Sequence, residues 1–234
     1  MEVFQLMIGI IGAMPIEIES IKKFMNNVKC ESFSHIKFFI GKINNTDCVL
    51  SICGPGKVNA AICTQIMALK YNPKIIINTG IAGALEKNIQ VGDIVLADSV
   101  VQHDMDTTAV GDEYGFISGL NLINLPCSKT SNEKIKSVAI KLKEKIHSGI
   151  IATGDQFISS KEKLSHIKNT FNALACDMEA GSIGHACFVN RIPFVALRVI
   201  SDNADEKSHI SYEKFKVIAA NKTTQLILNF ISTF

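Results

Sequence analysis

Residues 173–202 constrain this chain more than any other stretch. Ala-Leu-Ala-Cys at 173–176 reads as a short buried strand, and Asp177, Met178 and Glu179 follow it directly. Residues 180–188 are mostly apolar at helical spacing, and 194–200 form a second apolar run that ends in Ser201 and Asp202. Strand, helix and strand in about thirty residues is the pattern of an α/β sheet. Carboxylates at the ends of buried strands are costly to place without hydrogen bonds or a nearby helix N-terminus. In open α/β sheets, ligands bind at the carboxyl ends of the strands. Two readings of Asp177 and Glu179 stand open: a site that grips hydroxyls or handles protons, or a helix cap.

With 234 residues, 47% of them hydrophobic, the chain can cover one large α/β core, so residues 1–234 are expected to form a single domain. The 24 basic and 22 acidic residues leave a net charge of +2, which argues against a nucleic-acid footprint. The lysines between 134 and 145 alternate with Ile135, Val138, Ala139 and Leu142 at helical spacing, as on a solvated helix face. Seven cysteines with no C-x-x-C pair read as buried thiols in a reducing compartment. Residues 1–5 lack a basic region, and the apolar run 6–14 holds two glycines before Pro15 and Glu17. That is a strand and turn rather than a signal peptide or a membrane span, so a cytoplasmic protein with no membrane partner is expected.

Taken in order, residues 6–11 are a buried strand that turns at 12–15 into a helix with Pro15 near its first position. Glu17 and Glu19 fall in the first turn, Glu19 as ordinary surface and Glu17 close to the strand end. Residues 37–43 and 47–53 bracket Asn44-Asn45-Thr46, a hairpin signal, so the sheet is mixed. Gly54-Pro55-Gly56-Lys57 leads into a helix over 58–71 and reads either as a tight connection or as an anion-holding loop. Residues 74–79 are a strand ending in the small-residue run 80–84, where a ligand can approach the backbone. A strand is expected within 91–101, a long loop over 107–130, a helix over 132–147 and a strand over 148–153. After the loop 154–159, Ser160 starts a helix over 161–169, and a last helix runs from about Ser211 to Phe230 with Ser211 as its cap.

Several common site types are excluded. Neither Gly9–Gly12 nor the 80–84 run supplies G-x-G-x-x-G, and the 54–57 loop lacks the P-loop spacing. Residues 180–184 lack the first glycine of G-x-S-x-G, and His209 is a lone loop histidine. His103, Asp104 and Asp106 have ligand-type side chains, but a metal site needs more donors, and neither metal nor cofactor is expected.

Six blocks then occur in register: Gly9-Ile10-Ile11-Gly12-Ala13-Met14 with Glu17; Gly54-x-Gly56-Lys57-Val58-Asn59-Ala60-Ala61; Asn78-Thr79-Gly80-x-Ala82-Gly83; Gly154-Asp155-x-Phe157-Ile158; Asp177-Met178-Glu179-Ala180; and Ile200-Ser201-Asp202. From about residue 8 to its C-terminus the chain resembles the bacterial 5′-methylthioadenosine/S-adenosylhomocysteine nucleosidases of the purine nucleoside phosphorylase-like family. The resemblance implies a single-domain α/β three-layer sandwich around a mixed, partly barrel-like sheet. It also implies a homodimer, and an adenine nucleoside as the small-molecule partner. By the same resemblance Glu17 activates water and Asp202 protonates adenine at N7, with Ser201 orienting Asp202. Glu179 holds the ribose hydroxyls beside Met178, Phe157 stacks on adenine, the Ile158 backbone meets the base edge, and Gly83 lies near the sugar.

The residue types suit that chemistry. Breaking an N-glycosidic bond puts positive character on the ribose and negative charge on the purine, so one carboxyl group serves each side. A phosphorylase must instead hold phosphate, typically with arginine. The only arginines are Arg191 and Arg198, while Glu17 would repel the anion, so water is the expected nucleophile. A phosphate-dependent phosphorylase and a non-catalytic adenosine-binding module are the alternatives. Ile81 stands where a serine is common in the family, Asp177 where glutamate is usual, and Pro55 and Val110 where bulkier residues surround the 5′ substituent, Val110 from the dimer partner. The preference at the 5′ position, 5′-deoxyadenosine and aminofutalosine-type nucleosides included, is therefore left open.

Overall fold

The structure is a computed structural model that describes residues 6–204 and 208–234, with the backbone alone for 208–214 and 216. Among the described residues, ten strands and six α-helices follow one another: β1 (Met7–Gly12), α1 (Pro15–Lys22), β2 (Asn26–Phe33), β3 (Ile36–Ile43), β4 (Thr46–Ile52), α2 (Lys57–Tyr71), β5 (Ile75–Ala84), β6 (Ile94–Gln102), β7 (Leu125–Pro126), α3 (Lys129–Lys141), β8 (Ile146–Thr153), α4 (Lys161–Phe171), β9 (Ala173–Asp177), α5 (Ala180–Val189), β10 (Phe194–Asp202) and α6 (Ser208–Ile231).

The strands form one mixed sheet in the order β10-β6-β8-β9-β5-β1-β4-β3-β2, and β10 also pairs with β5. That extra pairing closes β10, β6, β8, β9 and β5 into a five-stranded barrel, with β1, β4, β3 and β2 as a wing. Strands β1, β4, β5 and β10 are linked by parallel pairings, so their carboxyl ends share one edge. Strand β9 meets β5 antiparallel only at Gly83↔Cys176 and Ala84↔Ala175, so the two strands cross at their last residues.

Side-chain alternation along the strands fills two cores. Ile8 and Ile10 of β1 and Ile75 and Ile77 of β5 pack with Ile18, Ile21, Ile135, Leu226 and Phe230 beneath α1, α3 and α6. Ile11 and Ile76 point the other way, onto Cys63 and Met67 of α2 and Ile183 and Cys187 of α5. The result is a three-layer sandwich. A smaller cluster of Val101, Ala152, Ile158, Ile167 and Phe171 seats α4 against β8.

The fold departs from the sequence reading in places with physical causes. Strand β5 continues through Ala84, because 80–84 pair with β10 and β9 and so find ladder partners despite their small side chains. Strand β2 has no apolar alternation to announce it; seven of its eight residues are exposed, as befits an outer strand. Helix α3 spans Lys129–Lys141 rather than 132–147: the Ser128 hydroxyl caps its start by accepting from Ser131 N, and β8 already begins at Ile146. The long 107–130 stretch contains a 3₁₀ turn at Thr108–Val110 and the short β7 paired with β6. Ser160 caps α4 by accepting from Lys163 N. Helix α6 begins at Ser208, and the side chains of Ser211 and His209 lie outside the described residues.

All seven cysteines are free, five of them buried. Among the described residues no helix is long and apolar enough to cross a membrane.

Candidate active site

Helix α1 positions the first carboxylate. Pro15 opens the helix, and Glu17 Oε2 accepts hydrogen bonds from Ala13 N (2.7 Å) and Met14 N (2.9 Å). The other oxygen, Oε1, lies over the Cα of Gly80, where a Cβ would come within 2.7 Å of it. Glu17 is only 3% exposed. Burial pushes its carboxyl above the ordinary glutamate range, although the Met14, Ala13 and Ile81 backbones and the Arg198 charge oppose the shift. Glu19, by contrast, sits on the surface in a pair with Lys22.

The second carboxylate terminates β10. The ladder with β5 is irregular between Ile200 and Asp202, which aligns Asp202 with Gly83. Asp202 Oδ2 accepts from Ser201 Oγ at 2.7 Å, and Oδ1 accepts from Ala204 N at 2.8 Å. Ala204 reaches that position with φ +51°, in the left-handed region. Gly83 leaves the space: a Cβ there would lie 3.0 Å from Asp202 Oδ1 and from the Ala204 methyl.

Asp177 and Glu179 turn to different partners. Asp177 accepts from Ala180 N, the first residue of α5, at 2.9 Å, and it also accepts from Thr153 Oγ1 and from Arg198 Nη2, each at 2.5 Å. Arg198 crosses the sheet interior, 1% exposed, and donates further to the Asn78 side chain and to the Asn78 and Leu197 carbonyls. Glu179 turns the other way, and its Oε1 accepts from Gly56 N at 3.0 Å. Burial first, and then the Asp177 charge, push the Glu179 carboxyl up to about 7, against the pull of Arg198.

The Gly54–Lys57 loop therefore holds anions, and they are the protein's own. At the N-terminus of α2, Gly56 N serves Glu179 and Lys57 N serves Asp155 Oδ1 at 2.7 Å. Gly56 has φ +96°, which only glycine adopts cheaply. The Lys57 ammonium meets Asp104 Oδ1 at 2.6 Å. Burial works against ionisation of Asp104, but the hydrogen bonds from Lys57 and Asp155 N together with the Lys57 and His103 charges outweigh it and keep the carboxyl below its ordinary value. Among the described residues no His, Cys, Asp and Glu cluster could hold a metal ion.

These elements enclose a cavity of about 320 Å³. Glu17, Gly83, Phe157, Ile158, Met178, Glu179, Ser201 and Asp202 all line it, so the eight sequence-derived site residues converge on one place. Pro55, Ile81, Gln156 and Asp177 also line it, and no lysine, arginine or histidine is among its described lining residues. Phe157 is 49% exposed, an aromatic at the cavity mouth rather than a core plug. Val110 lies outside this wall, 81% exposed. Sequence reasoning missed the part of Arg198; its signal was an arginine inside the apolar run 194–200, which has to find a buried partner.

A five-stranded barrel with a half-sheet wing and an acidic cavity where the strand ends meet defines a nucleoside-processing protein of the phosphorylase type. The phosphorylase superfamily model matches residues 7–232. The chain belongs to that superfamily and, within it, to the family of 5′-methylthioadenosine/S-adenosylhomocysteine nucleosidases. One such nucleosidase, from Glaesserella parasuis, is 40% identical over 232 residues, covering 97% of this chain and 99% of that protein. The solved structure of the Neisseria meningitidis nucleosidase in complex with methylthio-immucillin-A matches with a TM-score of 0.94 and 33% identity, over 97% of this chain and 99% of that one. A futalosine hydrolase mutant from Helicobacter pylori matches with a TM-score of 0.95 and 30% identity, over 98% of this chain and 100% of that one.

Proposed function

We propose that this chain is a hydrolase that cleaves the N-glycosidic bond of 5′-methylthioadenosine and S-adenosylhomocysteine, releasing adenine and the 5′-thioribose. The observation that carries the reading is the cavity lined by Glu17, Asp177, Glu179 and Asp202, with no basic side chain among the described residues of its lining. A phosphate dianion entering beside Glu17 would meet carboxyl groups and no basic side chain among the described lining residues, whereas water is neutral. The relatives' names and the bound methylthio-immucillin-A of one of them support the same substrate class.

In this reading Glu17 takes a proton from the attacking water. Its raised affinity for protons suits a base that must accept one near neutral pH. Asp202 delivers a proton to adenine N7 as the bond to the sugar breaks, with Ser201 Oγ and Ala204 N fixing both of its oxygens. Glu179 receives the ribose hydroxyls, and a carboxylate there also stabilises positive character on the sugar. Met178 and Gly83 flank the ribose, Phe157 stacks on the purine, and the Ile158 backbone pairs with its edge.

Residues 1–234 act as one nucleosidase domain. Two copies pair through the apolar face of α2 and the end of α5, where Val58, Ile62, Leu69, Phe188 and Val189 are exposed. Val110 of one copy then stands beside the 5′ end of the nucleoside in the other.

The deciding experiment incubates the protein with methylthioadenosine, with and without phosphate, and follows adenine. Adenine release that is independent of phosphate is expected. Strict dependence on phosphate, with ribose 1-phosphate products, would overturn the assignment in favour of a phosphorylase.

A further inference from the structure

Three residues that the chemistry above leaves unused form a closed ring beside the cavity. Lys57 N–H donates to Asp155 Oδ1 (2.7 Å), Asp155 N–H donates to Asp104 Oδ2 (2.9 Å), and the Lys57 ammonium donates to Asp104 Oδ1 (2.6 Å). Gln102 Oε1 takes a further contact from Lys57 Nζ at 3.3 Å. The Lys57 and Asp104 side chains are 20% and 17% exposed, so their pairing is partly sheltered from water.

The ring joins two loops that hold different halves of the cavity. On one side, the peptide just before Lys57 fixes Glu179 through Gly56 N. On the other, Asp155 begins the loop that carries Phe157 and Ile158 to the wall. The His103 ring packs directly on Gly154, at 2.4 Å from where a Cβ would stand, so the root of that loop has no room to slide.

We propose that Lys57 and Asp104 are positioning residues that set the distance between the base-holding loop and the ribose carboxylate. The proposal rests on the nucleoside-hydrolase reading above. Each half of the cavity keeps its own contacts without the ring, but a molecule spanning both halves needs the spacing that the ring sets. A nucleoside should therefore suffer more than free adenine when the ring is cut.

The test compares wild type, Lys57→Met, Asp104→Asn and the double variant. It measures kcat and KM for methylthioadenosine and the inhibition constant of adenine as product. Each single change is expected to raise KM about tenfold, the size of one lost charge-assisted hydrogen bond, with kcat and adenine inhibition within about threefold of wild type. The double variant should match the singles rather than multiply them, because the ring opens once. An unchanged KM in the folded variants, or adenine inhibition weakening in step with KM, would overturn the proposal. Melting temperatures check folding; if Lys57→Met fails to fold, the isosteric Asp104→Asn carries the comparison. No adenine release by the wild type would refute the hydrolase reading itself and take the proposal down with it, an outcome distinct from a variant that behaves like wild type.

Discussion

Arg198 and Asp177 form an ion pair at 2.5 Å in which both side chains are 1% exposed. Asp177 also lines the cavity, and the Arg198 charge acts on both Glu17 and Glu179, that of Asp177 on Glu179. A buried pair of this kind contributes little over a well-packed apolar replacement, but losing one member strands the other charge. Arg198→Met is therefore expected to lower stability by about 3–5 kcal/mol. Chemical denaturation would check this, and a loss below about 1 kcal/mol would mean that Asp177 finds water or another donor once Arg198 is gone.

Asp202→Asn should reduce adenine release by at least about a hundredfold while methylthioadenosine still binds, because the amide keeps the shape but cannot pass on the proton. Ser201→Ala removes one of the two hydrogen bonds to the carboxylate and should cost about tenfold in kcat. Steady-state assays together with binding measured by calorimetry separate the two effects. Equal losses in the two variants would argue that Asp202 acts through its orientation alone.

The strand ends of β1, β9 and β10 were legible because apolar runs stopping at Gly12, Asp177 and Asp202 leave few alternatives. Residues 80–84 were not, since glycine and alanine carry no strand signal and the pairing that holds them comes from β9 and β10, about 90 to 120 residues away. The ring of Lys57, Asp104 and Asp155 was hidden for the same reason. Lys57 read as part of a tight or anion-holding loop, Asp104 as a ligand-type side chain and Asp155 as part of another loop, and only the fold brings separations of 47, 51 and 98 positions to hydrogen-bond distance.

Gly80 offers a test of Glu17 that leaves the carboxylate's chemistry untouched. A Cβ at position 80 would lie 2.7 Å from Glu17 Oε1, so Gly80→Ala must displace the carboxylate. The shift is small, but a misplacement near 1 Å costs on the order of a hundredfold in rate. The expected result is a fall in kcat approaching that of Glu17→Gln. A Gly80→Ala enzyme with wild-type kcat would show that Glu17 does not need its present seat.

The pH dependence of stability isolates Glu179. Its carboxyl stands at about 7 in the folded chain, against 4.5 for an ordinary glutamate. The folded state therefore binds this proton more tightly than the unfolded state does. The resulting stability is fully present below about 4.5 and is lost as pH rises through about 7, with a ceiling near 3 kcal/mol for one group. Glu17 shifts in the same direction, while burial lowers His103 and His185, whose contribution runs the opposite way. The difference between wild type and Glu179→Gln cancels those background terms, since glutamine keeps an oxygen for Gly56 N but carries no titrating proton. Thermal melts from pH 8 down to pH 5 should show the wild type gaining several degrees on the variant, by the usual ~2–4 °C per kcal/mol for a chain of this size. A constant gap across that range would mean that Glu179 stays ionised in its pocket, with Arg198 outweighing both its burial and Asp177.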